Sequence, residues 1–240
     1  MNKPGYFFLL WMLFYVEAVV GVAQNFDFFY FVQQWPGSYC DTDSGCCFPL
    51  SGSPGAQFGI HGLWPNYNDG GYPSDCGGDS FDPKVLSDVL VDMNREWGSL
   101  ACPSSNSESF WSHEWTKHGT CSGFSQNAYF KAALNLYNQY DLTGGLAAAG
   151  INPDGSQYNV EDIRNAMQSV LGQLPGIQCN KDQSGNLQLY QVYVCVATDG
   201  QTVIQCPVFP NNECKGSVEF PVYQSNSAAS SDANVLRSDL

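Results

Sequence analysis

The three histidines of this 240-residue chain, His61, His113 and His118, fall in two short aromatic-rich segments, Phe58-Gly-Ile-His-Gly-Leu-Trp-Pro65 and Phe110-Trp-Ser-His-Glu-Trp-Thr-Lys-His-Gly-Thr-Cys121. Histidine gives and takes protons near neutrality, so two imidazoles held across a cleft can serve as acid and base together. Read as a helix, the second segment places His113 and Lys117 at i,i+4 and Glu114 and His118 at i,i+4, neighbouring pairs on one face. A proton-transfer pair beside a fixed cation and a carboxylate suits acid-base chemistry on an anionic group, with Lys117 as electrostatic stabiliser.

Other chemistries fit the residues less well. His113-Glu114-x-x-x-His118 is one residue longer than the zinc-protease signature His-Glu-x-x-His. The position that should carry the second ligand holds Lys117, and His118 is rotated a further ~100° around the helix. There is no Gly-x-Ser-x-Gly elbow for a serine hydrolase. The reading therefore calls for no metal and no cofactor.

Ten cysteines, all beyond residue 39, suggest a disulfide framework in an exported chain, and none has the Cys-x-x-Cys spacing of a zinc site. Connectivity is open at this level. The amino terminus agrees with export: Lys3, an apolar run from Tyr6 to Val20 broken only by Glu17, then Gly21-Val22-Ala23, read as a signal peptide of residues 1–23. No Asn-x-Ser/Thr sequon is present. The formal charge of −14, with nine Lys and Arg, excludes tight nucleic-acid binding by bulk charge but permits an enzyme with a local cationic spot. Histidines charge as pH falls while carboxylates begin to neutralise, so an acidic working pH is expected.

The elements that must position these groups follow from pattern. Phe26–Trp35 reads as a buried strand ending at Pro36, residues 36–57 as a bridged loop, Phe58–Ile60 as a second strand and residues 66–83 as a loop. Val85, Leu86, Val89, Leu90, Met93 and Trp97 follow helical spacing after an Asp82-Pro83 start. The second histidine segment reads as a helix capped by Ser107 or Ser109 and stopped by Gly119. Helices are expected over 128–140 and 160–171, and a strand pair 187–197 with 203–208 around Asp199-Gly200. The mixture points to α+β in one domain over 24–223, followed by a polar tail, 224–240.

At the two histidine segments, in this order and about 50 residues apart, the chain resembles the ribonuclease T2 family, above all the secreted plant S-like ribonucleases. The likeness extends over roughly residues 25–223. It implies a central antiparallel sheet with flanking helices, and cleavage of single-stranded RNA, not DNA, through a 2′,3′-cyclic phosphate. Carried over, His118 is the general base and His61 the general acid, His113 holds the phosphate, and Lys117 with Glu114 stabilises the transition state. Base binding is implied at Trp64 and Tyr72, and at Gln34 and Phe110 for the second base; Asn66 stands where some relatives carry Asp. The implied bridges are Cys40–Cys46, Cys47–Cys102, Cys76–Cys121, Cys179–Cys214 and Cys195–Cys206. A secreted monomer without a membrane anchor is expected, bound for the extracellular space or a vacuole. The competing reading is an inactive storage or defence protein on the same scaffold.

Overall fold

In the computed structural model, residues 25–223 are described; the expected signal peptide, residue 24 and the tail 224–240 lie outside them. The central strand β1 (Phe28–Gln34) is buried along its whole length. Its near-continuous apolar run suits a strand covered on both faces. Phe29 and Phe31 enter the large core, while Phe28, Tyr30 and Val32 enter a smaller cluster with Tyr193, Cys195 and Cys206.

Strands β2 (Gly59–Asn66) and β5 (Leu187–Val196) flank β1 antiparallel on its two sides. The sheet runs β2-β1-β5-β6-β3, with β3 (Gln157–Asn159) and β6 (Ser217–Glu219) short, and β4 (Gly176–Lys181) antiparallel to β5. Among the described residues all ladders are antiparallel except a single parallel pair, Gln188 with Glu219, between β5 and β6.

The helices are α1 (Pro36–Cys40), α2 (Leu90–Glu96), α3 (Glu108–Lys117), α4 (Gln126–Gln139), α5 (Leu142–Ala148) and α6 (Val160–Leu171). Trp111 and Trp115 of α3, Tyr129 and Phe130 of α4, and Ile163 and Met167 of α6 fill the large core together with Phe29 and Phe31. Each such side chain contributes about 1.5–3 kcal/mol by leaving water. The limits of α6 follow from its ends: the Asn159 side chain accepts from Glu161 N–H, and Gly172 takes the left-handed conformation that closes a helix.

Four expectations are corrected. The stretch 36–57 opens with α1, which Pro36 starts at a first-turn position where no N–H is needed. The helix expected from Pro83 to Trp97 is split into a 3-10 turn, Pro83–Leu86, and α2. Asn127 of α4 donates its side-chain amide to the Val85 carbonyl, the acceptor an unbroken helix would give Val89, and Val89 N–H bonds Leu86 O instead. Ser107 does not cap α3 with its side chain; it sits at φ 66° and its Oγ accepts from Ser99 N–H. Residues 203–208 form no strand: one bridge, Val196 with Val203, is followed by Pro207 and Pro210, which remove ladder donors.

Five disulfides tie this frame together: Cys40–Cys46, Cys47–Cys102, Cys76–Cys121, Cys179–Cys214 and Cys195–Cys206. No helix among the described residues is long and apolar enough to cross a membrane.

Candidate active site

His61 owes its position to a break in register. Val32 pairs with Gly62 and Gln33 with Ile60, so His61 is the extra residue of a β-bulge between β1 and β2. Bulges re-aim side chains at the cost of one ladder position. The displaced backbone is held by Trp97, whose indole N–H donates to the His61 carbonyl at 2.9 Å. The ring is held by Gln191 of β5, with Nε2 2.7 Å from His61 Nδ1.

The other groups come from the end of α3. Glu114 and His118 are one turn apart, with His118 N–H bonded to Glu114 O at 3.0 Å. Here the helix gives way to a tighter turn, Gly119–Cys121, one residue before the expected stop. Gly119 does not stop the helix by a left-handed backbone; it is needed because a Cβ there would run into the Trp115 ring.

Trp64 joins the two halves. Its indole N–H donates to Glu114 Oε2 at 2.8 Å. Its ring stacks on His118 with centroids 5.1 Å apart and planes 24° apart, and meets His61 edge-on at 4.9 Å. Gly62 makes room for this, since a Cβ there would collide with both the Trp64 indole and the Glu114 carboxylate. His118 is 5% exposed and its Nδ1 has no hydrogen-bond partner among the described residues. Stacking on Trp64 therefore orients it.

His61, Trp64, Asn66, Tyr72, His113, Glu114, Lys117 and His118 line one cavity of about 240 Å³. Seven of them are residues singled out above as catalytic or substrate-binding, and Asn66 is the eighth. Phe110 does not line the cavity but packs against the His61 ring at 5.9 Å. Gln34 lies outside it as well, paired in the sheet with Gln191. Tyr72, 55% exposed, stands 6.4 Å from the His118 ring. Trp64, read as a base-stacking ring, is already engaged by both histidines.

Burial, reinforced by His113 and Lys117, lowers His61 to about 4. Burial again, with Lys117, His113 and His61, lowers His118 to about 3. Burial raises Glu114 to about 8 against the opposing Trp64 hydrogen bond and Lys117. In mild acid the free enzyme thus holds two neutral imidazoles and a neutral carboxylic acid able to donate a hydrogen bond. An entering phosphate would favour the charged imidazoles.

A model of the Ribonuclease T2 family matches residues 26–206. The chain belongs to the ribonuclease T2 family. It is an endoribonuclease, as its family implies, and has close relatives within it. It is 54% identical over 221 residues to extracellular ribonuclease LE of Solanum lycopersicum, covering 90% of this chain and 96% of that one. To intracellular ribonuclease LX of the same plant it is 50% identical, covering 85% and 87%. Among solved structures, RNase NT in complex with 5′-AMP superposes with a TM-score of 0.81 at 48% identity, over 83% of this chain and 100% of that one. The ribonuclease T2 fold accounts for the α+β sheet described above.

Sequence reasoning missed Gln191 and Trp97 as members of the site. Gln191 had a signal: it is a polar residue, 4% exposed, inside the otherwise apolar run Leu189–Val196. A buried amide in such a strand needs a partner, and here the partner is His61.

Proposed function

We propose that this chain is a secreted acid endoribonuclease that cleaves single-stranded RNA by metal-free transesterification. The observation that carries the reading is the placement of His61 and His118 against one indole, Trp64, with His113, Glu114 and Lys117 around the same cavity. A phosphodiester lying over Trp64 would meet one imidazole on each side.

In this reading His118 takes the proton of the ribose 2′-OH as the oxygen attacks phosphorus. Lys117, His113 and the protonated Glu114 stabilise the equatorial oxygens of the five-coordinate state. His61 gives its proton to the departing 5′-oxygen, leaving a 2′,3′-cyclic phosphate. Water then opens the ring with the roles exchanged, His61 taking the water proton and His118 returning one to the 2′-oxygen, to give a 3′-phosphate. DNA has no 2′-OH and is not cleaved. Tyr72, exposed beside the His118 ring, supplies the ring surface at one base, and Phe110, against the His61 ring, the side of the other. The amino-terminal apolar segment directs the chain out of the cytosol, to the extracellular space or a vacuole.

The test separates acid from base. A nucleoside 3′-phosphate ester with a nitrophenolate leaving group needs no proton on departure. On that substrate His61→Ala is expected to cost little, while on RNA it costs at least ~100-fold; His118→Ala is expected to lose at least ~100-fold on both. Equal losses for His61→Ala on the two substrates would overturn the acid assignment.

A further inference from the structure

Gln178, Gln191 and Gln34 stand in one row across the sheet: Gln34 on β1 pairs with Gln191 on β5, which pairs with Gln178 on β4. Gln191 bridges His61 and Tyr193, and Tyr193 in turn reaches Gln178. The Tyr193 hydroxyl lies 2.7 Å from Gln178 Oε1 and 2.9 Å from Gln191 Oε1. A phenol has one proton and cannot donate to both. Burial holds the Tyr193 phenol far above its ordinary value, so it keeps that proton. Gln178 cannot turn to help, because its Nε2 donates to the Asn211 carbonyl at 2.9 Å, which fixes Oε1 toward Tyr193.

Two arrangements satisfy this chain of groups. In the first, Gln191 Nε2–H donates to His61 Nδ1, so the neutral imidazole carries its proton on Nε2, and Tyr193 donates to Gln191 Oε1. In the second the Gln191 amide is turned over. His61 Nδ1–H donates to Gln191 Oε1, Gln191 Nε2–H donates to the Tyr193 oxygen, and Tyr193 donates to Gln178. The first requires a lone pair on Nδ1; the second requires a proton there.

We propose that Gln191 is a positioning residue whose amide turns over with the proton on His61 Nδ1, Tyr193 and Gln178 completing the hydrogen bonds of the turned state. The first arrangement resists protonation of the ring. The second holds the imidazolium, and after Nε2 has given up its proton it holds the neutral ring with Nε2 bare, the form needed to accept a proton from water in the second step. The charged and titratable groups facing His61 are His113 and Lys117 of α3 and His118 at its end, with Glu114 on the same cavity; from β5 it meets neutral Gln191. The inference rests on His61 being the proton donor only for its catalytic consequence.

Histidine-15N-labelled full-length mature protein, titrated by NMR without substrate, tests the relay, with His61 assigned as the signal lost in His61→Ala. The neutral ring should carry its proton on Nε2. Gln191→Glu, which places a carboxylate on Nδ1, should raise the His61 titration by at least about one pH unit, a tenfold change in proton affinity. Tyr193→Phe removes the acceptor of the turned amide and should lower it, with the neutral tautomer unchanged. A neutral wild-type ring protonated on Nδ1, or a His61 titration that Gln191→Glu leaves in place, would overturn the proposal. If the NMR titration rises in Gln191→Glu while the alkaline limb of kcat/KM on RNA stays fixed, the relay stands and the acid role of His61 falls.

Discussion

The indole N–H of Trp64 donates to Glu114 Oε2 at 2.8 Å, directly over the position where Gly62 has no side chain. This bond couples the strand that carries His61 to the helix end that carries His118. Trp64→Phe keeps a ring for both histidines but removes the donor, leaving a buried carboxyl without its partner at a cost of about 1–3 kcal/mol. On RNA it is expected to lower kcat more than it raises KM, measured by steady-state kinetics. An effect confined to KM would return Trp64 to base stacking alone.

Gly62→Ala should disturb the same bond from the other side. The added methyl collides with both partners, so a drop of at least ~10-fold in kcat/KM is expected together with a lower Tm. Wild-type kinetics for this variant would contradict the geometry.

Glu114 is raised to about 8, chiefly by burial. Its folded value lies above its unfolded one, so the stability it contributes is fully present below about 4.5 and is lost as pH rises through 8. Glu114→Gln keeps a neutral donor and cannot ionise. Its Tm should fall less than that of wild type between pH 5 and pH 9, and its activity at pH 5 should exceed that of Glu114→Ala. An equal alkaline fall in the two proteins would show that Glu114 is already ionised at neutral pH.

The histidines behave oppositely in stability and set the pH dependence of turnover. Both folded values lie below the unfolded value of about 6.5, so their contribution is present above that value and is lost as pH falls toward 4 and 3. Catalysis needs His118 neutral and His61 charged. In the free enzyme kcat/KM should therefore fall below about pH 3 and above about pH 4, whereas kcat should peak at higher pH because bound phosphate favours both imidazolium ions. Coincident kcat and kcat/KM profiles would show that phosphate does not shift these groups.

The sequence made the two ends of the site legible and hid the joints. The bounds of α6 were readable from Asn159 and Gly172, whose capping roles are local, and the helical spacing of His113, Glu114 and Lys117 is local too. The bulge at His61 was not readable, because it exists only in the pairing of β2 with β1. Nor was the split after Leu86, which depends on Asn127 some 40 residues away capturing a carbonyl. Residues 203–208 alternate enough to resemble a strand, yet Pro207 and Pro210 were the signal against it. Gln191 announced itself only as a polar residue in an apolar run; that it meets His61 is a fact of sheet register.

The most direct test of the central claim is product analysis. The purified, oxidised protein would be incubated in excess EDTA across a series from about pH 3 to 7 with RNA and with an all-2′-deoxy strand of the same sequence. A 2′,3′-cyclic phosphate from RNA that converts to a 3′-phosphate, with the deoxy strand intact, is the expected result; cleavage of the deoxy strand, 5′-phosphate products, or activity that EDTA abolishes and a divalent metal restores would contradict it.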